Sequence, residues 1–177
     1  MDSITPKTYE ELFARLSDLA IAYENHEHPP VFTVAESQNL RGSLPGAHVK
    51  NLFLRDKKKS IWLVTVLEDR EVDLKALRKR LGAAKTLSFG SPELLMEVLG
   101  VEPGAVTPYG VINDSTGRAT VILDQGLFDH SLVNAHPLRN DMTVAVAPNG
   151  LIDFLEAQNH APEIIDFGAP LLPDEGA

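Results

Sequence analysis

The sequence of 177 residues contains no cysteine. This absence excludes disulfide scaffolds, thiolate zinc sites, iron–sulfur clusters and cysteine nucleophiles. Long apolar runs are also missing, because none approaches the roughly 18 residues that a membrane-spanning helix needs. The first residues lack the basic and apolar regions of a signal peptide. We therefore expect a cytoplasmic protein with no membrane partner, whose chemistry uses no thiol.

The rest of the composition is that of an ordinary globular protein. Hydrophobic residues make up 44% of the chain and charged residues 23%, which is far from the composition of disordered proteins. At this length we expect one domain over residues 1–170, followed by a frayed acidic tail at 171–177. The sequence has no internal repeat, and it makes no prediction of oligomeric state.

Positive charge is scarce overall and concentrated in one segment. The formal net charge of −9 by itself disfavours a phosphate-rich partner. Residues 41–85, however, hold 12 Lys and Arg against 5 Asp and Glu, whereas the flanking segments are acidic. Two interpretations stay open, a solvated surface or a face for an anionic polymer. The candidate nucleic-acid contacts are Lys57, Lys58, Lys59, Arg78, Lys79 and Arg80.

Capping residues mark the helices. Thr8 and Glu11 form a capping box before apolar residues at helical spacing, which predicts a helix over residues 9–22. The same form recurs at residues 33–36 and predicts a second short helix ending near Gly42. Further helices are expected between Asp73 and Gly82, from Ser91 to Gly100, and from about residue 148.

Strand-like runs alternate with turn residues through the rest of the chain. They lie at residues 23–27, 47–55, 60–67, near 86, 111–112, 119–123, 132–133 and 142–147. The run at 60–67 is apolar on both faces, which is typical of a central strand. Residues 105–147 suggest a meander. Together these elements predict an α+β (mixed α/β) domain with a mainly antiparallel mixed sheet flanked by helices.

One lysine stands out inside a strand. Period-two alternation places Lys50 on the same face as Leu52 and Leu54, and Asn51 on the other face. A strand-end lysine that reaches solvent is the simpler interpretation. The functional interpretation is a lysine at the lip of a pocket that holds a carbonyl oxygen or a phosphate.

A loop from Gly104 to Pro108 has a composition that exposes backbone polar groups. It is either a rigid connector or a loop that holds a ligand through its main chain. The loop lacks the lysine and hydroxyl pair of a nucleotide-binding P-loop, so that class is excluded.

Histidines offer two weaker candidates. His26 and His28 fall on one strand face, but no further ligand spacing follows, so we predict no metal site. His136 lies at a strand end broken by Pro137, where an imidazole can face a cleft or simply lie at a surface turn. No Gly-x-Ser-x-Gly nucleophile motif is present.

Three of these features occur in an order that resembles the YbaK/ProX family of aminoacyl-tRNA deacylases. They are Lys50-Asn51 in a strand, the Gly-x-x-x-Pro loop that starts at Gly104, and the segment 134–140. The match spans most of the chain. Within the family, the strings at 49–56 and 135–140 look most like the freestanding alanyl-tRNA(Pro) deacylases, also called PrdX or ProXp-ala.

The resemblance implies a mixed α/β editing-domain fold and an enzyme without metal or cofactor that hydrolyses the ester of a mischarged tRNA. It implies Lys50, Gly104 and His136 as catalytic residues. Lys50 would contact the aminoacylated end of the tRNA, and His136 would line the same cleft. The resemblance also implies substrate-binding residues: Asn51, Val34, Ser37, Ala105, Val106, Thr107 and Pro108.

The expected activity is deacylation of alanyl-tRNA(Pro), which protects translation fidelity through a pocket that admits a methyl group and excludes the proline ring. An activated ester needs only an oriented water and a stabilised oxyanion, so a missing nucleophile is no obstacle. The implied partners are mischarged tRNA and prolyl-tRNA synthetase. Two alternatives stay open: another small aminoacyl-tRNA such as cysteinyl-tRNA(Pro), and a non-catalytic module that binds tRNA or a synthetase.

Overall fold

The computed structural model describes residues 5–29 and 44–171. Its helices are α1 (Tyr9–Asp18), α2 (Leu74–Leu81), α3 (Pro92–Leu99) and α4 (Pro148–Ala157), with 3-10 helices at Pro108–Asn113 and Gln125–Asp129. Its strands are β1 (Tyr23–Glu27), β2 (Ala47–Arg55), β3 (Ile61–Leu67), β4 (Ser88–Phe89), β5 (Ala119–Asp124), β6 (Val133–Ala135), β7 (Met142–Val146) and β8 (Glu163–Ile165). The predicted helix at 33–42 and most of the predicted tail lie outside the described residues.

The strands form one mixed sheet in the order β1-β7-β6-β2-β3-β5-β8, with β4 paired to the end of β2. β3 lies inside the sheet, antiparallel to β2 and parallel to β5. Residues 63–66 of β3 are all buried. The apolar character of both faces therefore correctly predicts a central strand.

Helix boundaries follow the capping residues. Thr8 and Glu11 form the predicted capping box at the start of α1, while Gly82 and Gly100 close α2 and α3 with φ of +66° and +65°. α1 ends at Asp18, four residues before its predicted end. Its last turn is broken because Ala20 adopts φ of +58° and turns the chain into β1.

The predicted meander over residues 105–147 is wrong. Val111 and Ile112 belong to the 3-10 helix at Pro108–Asn113, and β5 pairs in parallel with β3 and β8. Within this stretch only β6 and β7 pair as antiparallel neighbours. A short apolar run has no periodicity that separates a strand from a buried turn of helix. The strand expected near residue 86 lies at Ser88–Phe89.

Two hydrophobic cores cover the two faces of the sheet. The larger core packs α1, α3 and α4 against one face, and Phe53 of β2 belongs to it. The smaller core packs Leu77 of α2 against the other face, with Leu54 of β2 fully buried. Among the described residues, no helix is long and apolar enough to cross a bilayer.

Candidate functional site

Strand β2 places its two candidate polar residues on opposite faces of the sheet, as alternation predicts. Leu52 and Leu54 pack in the smaller core, so Lys50 shares their face. Val49 and Phe53 pack in the larger core, so Asn51 belongs to that side. A ligand that touches both residues must therefore lie where the sheet is interrupted.

The ammonium group of Lys50 is tethered at the end of β3. Its Nζ donates to the carbonyl of Arg70, and the side chain is half-buried. Arg70 is itself held by the fully buried carboxylate of Asp124, with Nε to Oδ2 at 2.9 Å. The same Oδ2 accepts the backbone N–H of Leu67 at 3.1 Å. Lys50 is thus positioned by a fixed segment rather than extended into solvent.

Asn51 connects β2 to the loop that starts at Gly104. Its Nδ2 donates to the carbonyl of Val106 at 3.0 Å, and its Oδ1 accepts the hydroxyl of Thr65 at 2.6 Å. Because Thr65 occupies one side of the amide, the other side is oriented toward the loop. Asn51 therefore fixes the loop against the strand that carries Lys50.

The loop presents main-chain groups and hides most of its side chains. Ala105, Thr107 and Pro108 are buried, and the Thr107 hydroxyl accepts the N–H of Tyr109 at the start of the 3-10 helix. Gly104 is exposed and has φ of +91°, a left-handed conformation that favours glycine. Within the described residues the amides of Gly104 and Val106 donate to no acceptor.

His136 directly follows β6, the strand that pairs with the start of β2. β2 and β6 run parallel and pair at Ala47 with Val133 and at His48 with Asn134. Lys50 lies two residues beyond the last pair on β2, and His136 lies two residues beyond it on the neighbouring segment. The parallel pairing therefore brings the segments that carry the two candidate catalytic residues, far apart in sequence, side by side.

The pairing of β2 and β6 ends at Asn134. Its Nδ2 donates to the carbonyls of Pro45 and Ala47, at 2.9 and 3.1 Å, and so holds the start of β2. Beyond this point β2 and β6 no longer pair with each other. The sheet has an opening with Lys50 and Asn51 on one side and His136 on the other, where a ligand can reach groups from both faces.

The ring of His136 is oriented by its neighbours. Its Nδ1 lies 2.9 Å from the carbonyl of Met142, which requires a proton on Nδ1. Burial lowers the pKa of His136, and the nearby His28 lowers it further. The Met142 carbonyl and Asp141 act in the opposite direction, but the net effect is a lowered pKa. The neutral ring therefore carries its lone pair on Nε2.

His28 and Thr143 form a polar pair beside His136 that sequence reasoning did not assign. His28 Nδ1 lies 2.8 Å from the carbonyl of Pro29, and its Nε2 lies 2.8 Å from the hydroxyl of Thr143. The rings of His28 and His136 are 6.3 Å apart. The placement of His26 and His28 on one strand face was the sequence signal that pointed to this histidine. No motif pointed to Thr143. Among the described residues no group of His, Asp and Glu could hold a metal ion.

Two cavities of about 410 Å³ each are lined by sequence neighbours of the candidate residues, and neither is lined by Lys50, Asn51 or His136. One is lined by the start of β2, residues 67–70 and His130, and it lies beside the segment that tethers Lys50. The other lies between residues 100–105 and 138–141 and includes Ala105 and Asn140. Val34 and Ser37, the predicted pocket wall, lie outside the described residues.

The predicted nucleic-acid contacts divide into two groups. Lys57, Lys58 and Lys59 are exposed in the turn between β2 and β3, and Lys79 is exposed on α2. Arg78 donates to the carbonyl of Ala83, and Arg80 forms an ion pair with Glu163 at 3.1 Å. The hairpin turn therefore provides the more available positive charge.

Comparison with known proteins identifies the family. A model of the aminoacyl-tRNA editing domain matches residues 28–154. The chain belongs to the aminoacyl-tRNA editing domain family. The resemblance to YbaK/ProX proteins is thereby confirmed, and the matched range includes Lys50, the Gly104 loop and His136.

Relatives of this editing domain match over nearly their whole length. Prolyl-tRNA synthetase associated domain-containing protein 1 of Mus musculus is 41% identical over 161 residues, which cover 89% of this chain and 95% of that protein. Prolyl-tRNA editing protein ProX of Acetoanaerobium sticklandii is 36% identical over 159 residues, covering 89% and 96%.

The fold of the editing domain is shared with solved structures. A candidate trans-editing enzyme for prolyl tRNA synthetase superposes with a TM-score of 0.70 and 21% identity, over 93% of this chain and 98% of that chain. The predicted mixed α/β editing-domain fold is confirmed.

Proposed function

We propose that this protein is a trans-editing hydrolase that removes alanine from mischarged alanyl-tRNA(Pro). The family supports an aminoacyl-tRNA substrate, and the names of the relatives support a link to prolyl-tRNA. The observation that carries the proposal is the parallel pairing of β2 with β6, which brings the segments of Lys50 and His136 side by side, next to the loop that Asn51 holds.

The reaction is the hydrolysis of an ester. A water oxygen attacks the aminoacyl carbonyl carbon, the bond from this carbon to the ribose oxygen breaks, and the leaving oxygen takes up a proton. The developing oxyanion needs donors that are already in place. The amides of Gly104 and Val106, free within the described residues, are suited to this role or to binding the aminoacyl group.

Lys50 supplies positive charge at the reacting end. An ammonium group has three donors, and the contacts of the described residues use one of them, on the Arg70 carbonyl. The remaining donors can bind the ester carbonyl or the terminal phosphate. We assign His136 an orienting role, because its neutral Nε2 can accept a hydrogen bond from the water or from the substrate.

Selectivity is proposed to arise from size. A pocket that fits a methyl side chain rejects proline by steric overlap, which is the principle of the small sieve in double-sieve editing. Cysteine is only slightly larger than alanine, so cysteinyl-tRNA(Pro) is the competing substrate. The proposed site of the reaction is the cytoplasm, with prolyl-tRNA synthetase as the source of the mischarged tRNA.

The decisive experiment compares hydrolysis rates of alanyl-, cysteinyl- and prolyl-tRNA(Pro). We expect rapid loss of alanine, little loss of proline, and a decrease of about 100-fold in Lys50→Ala, as for removal of one oxyanion donor. Lys7→Ala is the matched control, since Lys7 is exposed just before α1 and its ammonium group pairs with Glu11. If cysteinyl-tRNA(Pro) is hydrolysed faster than alanyl-tRNA(Pro), cysteine rather than alanine is the amino acid removed. If none of the three is hydrolysed, the protein is a non-catalytic binding module.

Salt dependence tests the basic hairpin turn. If Lys57, Lys58 and Lys59 contact phosphates, the Michaelis constant rises steeply with salt through release of counterions. The triple alanine variant should flatten this dependence. An unchanged slope in that variant would remove the hairpin turn from the tRNA interface.

A further inference from the structure

Phe89 is exposed although its backbone is fixed. Its side chain is 62% exposed, the largest value among the large hydrophobic residues described. β4 pairs Phe89 with Leu54, and the next residue, Gly90, donates its N–H to the carbonyl of Phe53 at 2.9 Å. A Cβ at Gly90 would overlap the Phe53 ring, so the chain passes close to the sheet here. The ring is therefore presented to solvent by an ordered segment.

The exposed ring borders a groove of about 490 Å³, here called the Phe89 groove. Arg55 at the end of β2 and Lys59 in the hairpin turn line this groove, as does Ser91 at the start of α3. Arg118 and Glu97 also line it, and they form an ion pair with each other at 2.7 Å. Arg55 and Lys59 have no ion pair or side-chain hydrogen bond with any described residue. The groove thus combines an aromatic face with two available cations.

This combination matches the chemistry of a nucleotide. Bases of any sequence stack on aromatic side chains, while cations along the groove bind the backbone phosphates. An acidic protein segment would satisfy Arg55 and Lys59 but has no general need for a flat exposed ring. We propose that Phe89 is a stacking platform for an unpaired nucleotide of the tRNA, with its phosphate bound by Arg55 and Lys59. This inference rests on the proposed function.

The position of the groove fits the unpaired 3′ end of a tRNA. Arg55 follows Lys50 by five residues of β2, a separation of about 16 Å along the strand, and it lies on the face of Asn51. If the ester lies at the opening between β2 and β6, where both faces of β2 are accessible, a nucleotide upstream of the terminal one can lie in the Phe89 groove. The base-paired stem then continues toward the hairpin turn, where Lys57 and Lys58 are exposed.

The test measures binding of an uncharged RNA hairpin that carries the tRNA(Pro) acceptor stem with its unpaired 3′ end. Phe89→Leu keeps an apolar side chain but removes the ring, and we expect its dissociation constant to rise about 10-fold, as for loss of one stacked base. Phe89→Trp should bind like the natural protein. Ile164→Ala is the control, since Ile164 is another exposed apolar residue, on β8.

A second arm uses the same hairpin without its unpaired nucleotides. The natural protein and Phe89→Leu should then bind equally, which a general effect on folding would not produce. Equal melting temperatures of the variants confirm that the fold is unchanged. In deacylation, Phe89→Leu should raise the Michaelis constant and leave the turnover number unchanged.

Several results would overturn the inference. Unchanged RNA binding by Phe89→Leu would exclude stacking, even if the natural protein hydrolyses alanyl-tRNA(Pro). If Phe89→Leu binds the RNA normally but no longer associates with prolyl-tRNA synthetase, Phe89 is a protein contact instead. If the natural protein hydrolyses no substrate, the proposed function fails, but the binding comparison still decides the role of Phe89.

Discussion

Two histidines in this molecule lie in polar clusters that differ in one respect. At His160 every polar atom has a partner: Nε2 lies 2.9 Å from Asp114 Oδ2, and Nδ1 lies 2.6 Å from the carbonyl of Gln158. Asp114 also accepts the backbone N–H groups of Arg118 and Ala119. Both side chains are at most 2% exposed. Because both ring nitrogens face acceptors, His160 is protonated and pairs with Asp114.

The cluster around His136 is open by comparison. One ring nitrogen is bound to the Met142 carbonyl, while Nε2 has no partner among the described residues. The Asp114 carboxylate raises the pKa of His160 despite its burial, whereas burial lowers the pKa of His136. A closed cluster stabilises the fold, and an open one keeps capacity for a ligand. This difference indicates which polar groups to remove to affect stability and which to remove to affect activity.

The largest expected effect is on the closed cluster. Asp114→Ala leaves a buried imidazolium and two backbone donors without acceptor, and we expect the free energy of unfolding to fall by about 3–5 kcal/mol. Urea denaturation measures this change. Glu97→Ala, which breaks the exposed pair with Arg118, should cost less than about 1 kcal/mol. Equal losses in the two variants would contradict the distinction between closed and exposed clusters.

The next effect is on activity. In Asn51→Ala the loop that starts at Gly104 loses its attachment to β2, and we expect kcat/KM for alanyl-tRNA(Pro) to fall about 100-fold through misplacement of the loop. The unfolding free energy should fall by only about 1 kcal/mol. Asn51→Asp cannot donate to the Val106 carbonyl and should lose activity to a similar degree. Full activity in Asn51→Asp would refute the role of this hydrogen bond.

The closed cluster also predicts how stability depends on pH. Burial opposes ionisation of Asp114, but His160 and the backbone donors outweigh it and lower the pKa of Asp114 below 3.8. The pKa of His160 is raised above 6.5. The Asp114 contribution is lost as pH falls through its lowered pKa, and the His160 contribution is lost as pH rises through its raised pKa.

Unfolding free energies measured across pH should therefore be greatest between these two pKa values. The double variant Asp114→Asn with His160→Gln should lose this part of the pH dependence. If the natural protein and the double variant have parallel pH profiles, the ion pair is not formed in solution.

The smallest expected effect concerns the open cluster. Activity should decrease as pH falls through the lowered pKa of His136 and the ring becomes protonated. The charged groups that face His136 are His28, which lowers its pKa, and Asp141, which raises it. His28→Gln should move the acid limb of the activity profile to higher pH, and Asp141→Asn to lower pH. Shifts in the same direction for both variants would contradict this electrostatic account.

Local signals in the sequence predicted much of this structure. The capping box at Thr8, the cap at Asp73 and the glycines at 82 and 100 define helices because their hydrogen bonds lie within a few residues. The opposite faces of Lys50 and Asn51 follow from alternation alone. The meander failed because parallel pairing of β5 with β3 and β8 depends on residues far apart in the chain.

The site was predictable only in part. The motifs pointed to Lys50, the Gly104 loop and His136, but not to Thr65 or Asp124, which orient Asn51 and the Lys50 tether across the sheet. No motif in the sequence pointed to Phe89, and its place on the short strand β4 exposes it.

The sequence by itself determined the family, the local elements and the types of side chain available for chemistry, because these depend on residue identity and short spacings. The tertiary structure alone decided that the segments of Lys50 and His136 lie side by side, that Asn51 holds the loop, and that burial lowers the pKa of His136 while Asp114 raises that of His160. Register, hydrogen-bond partners and burial are set by contacts between residues distant in the chain, and those contacts exist only once the sheet has formed.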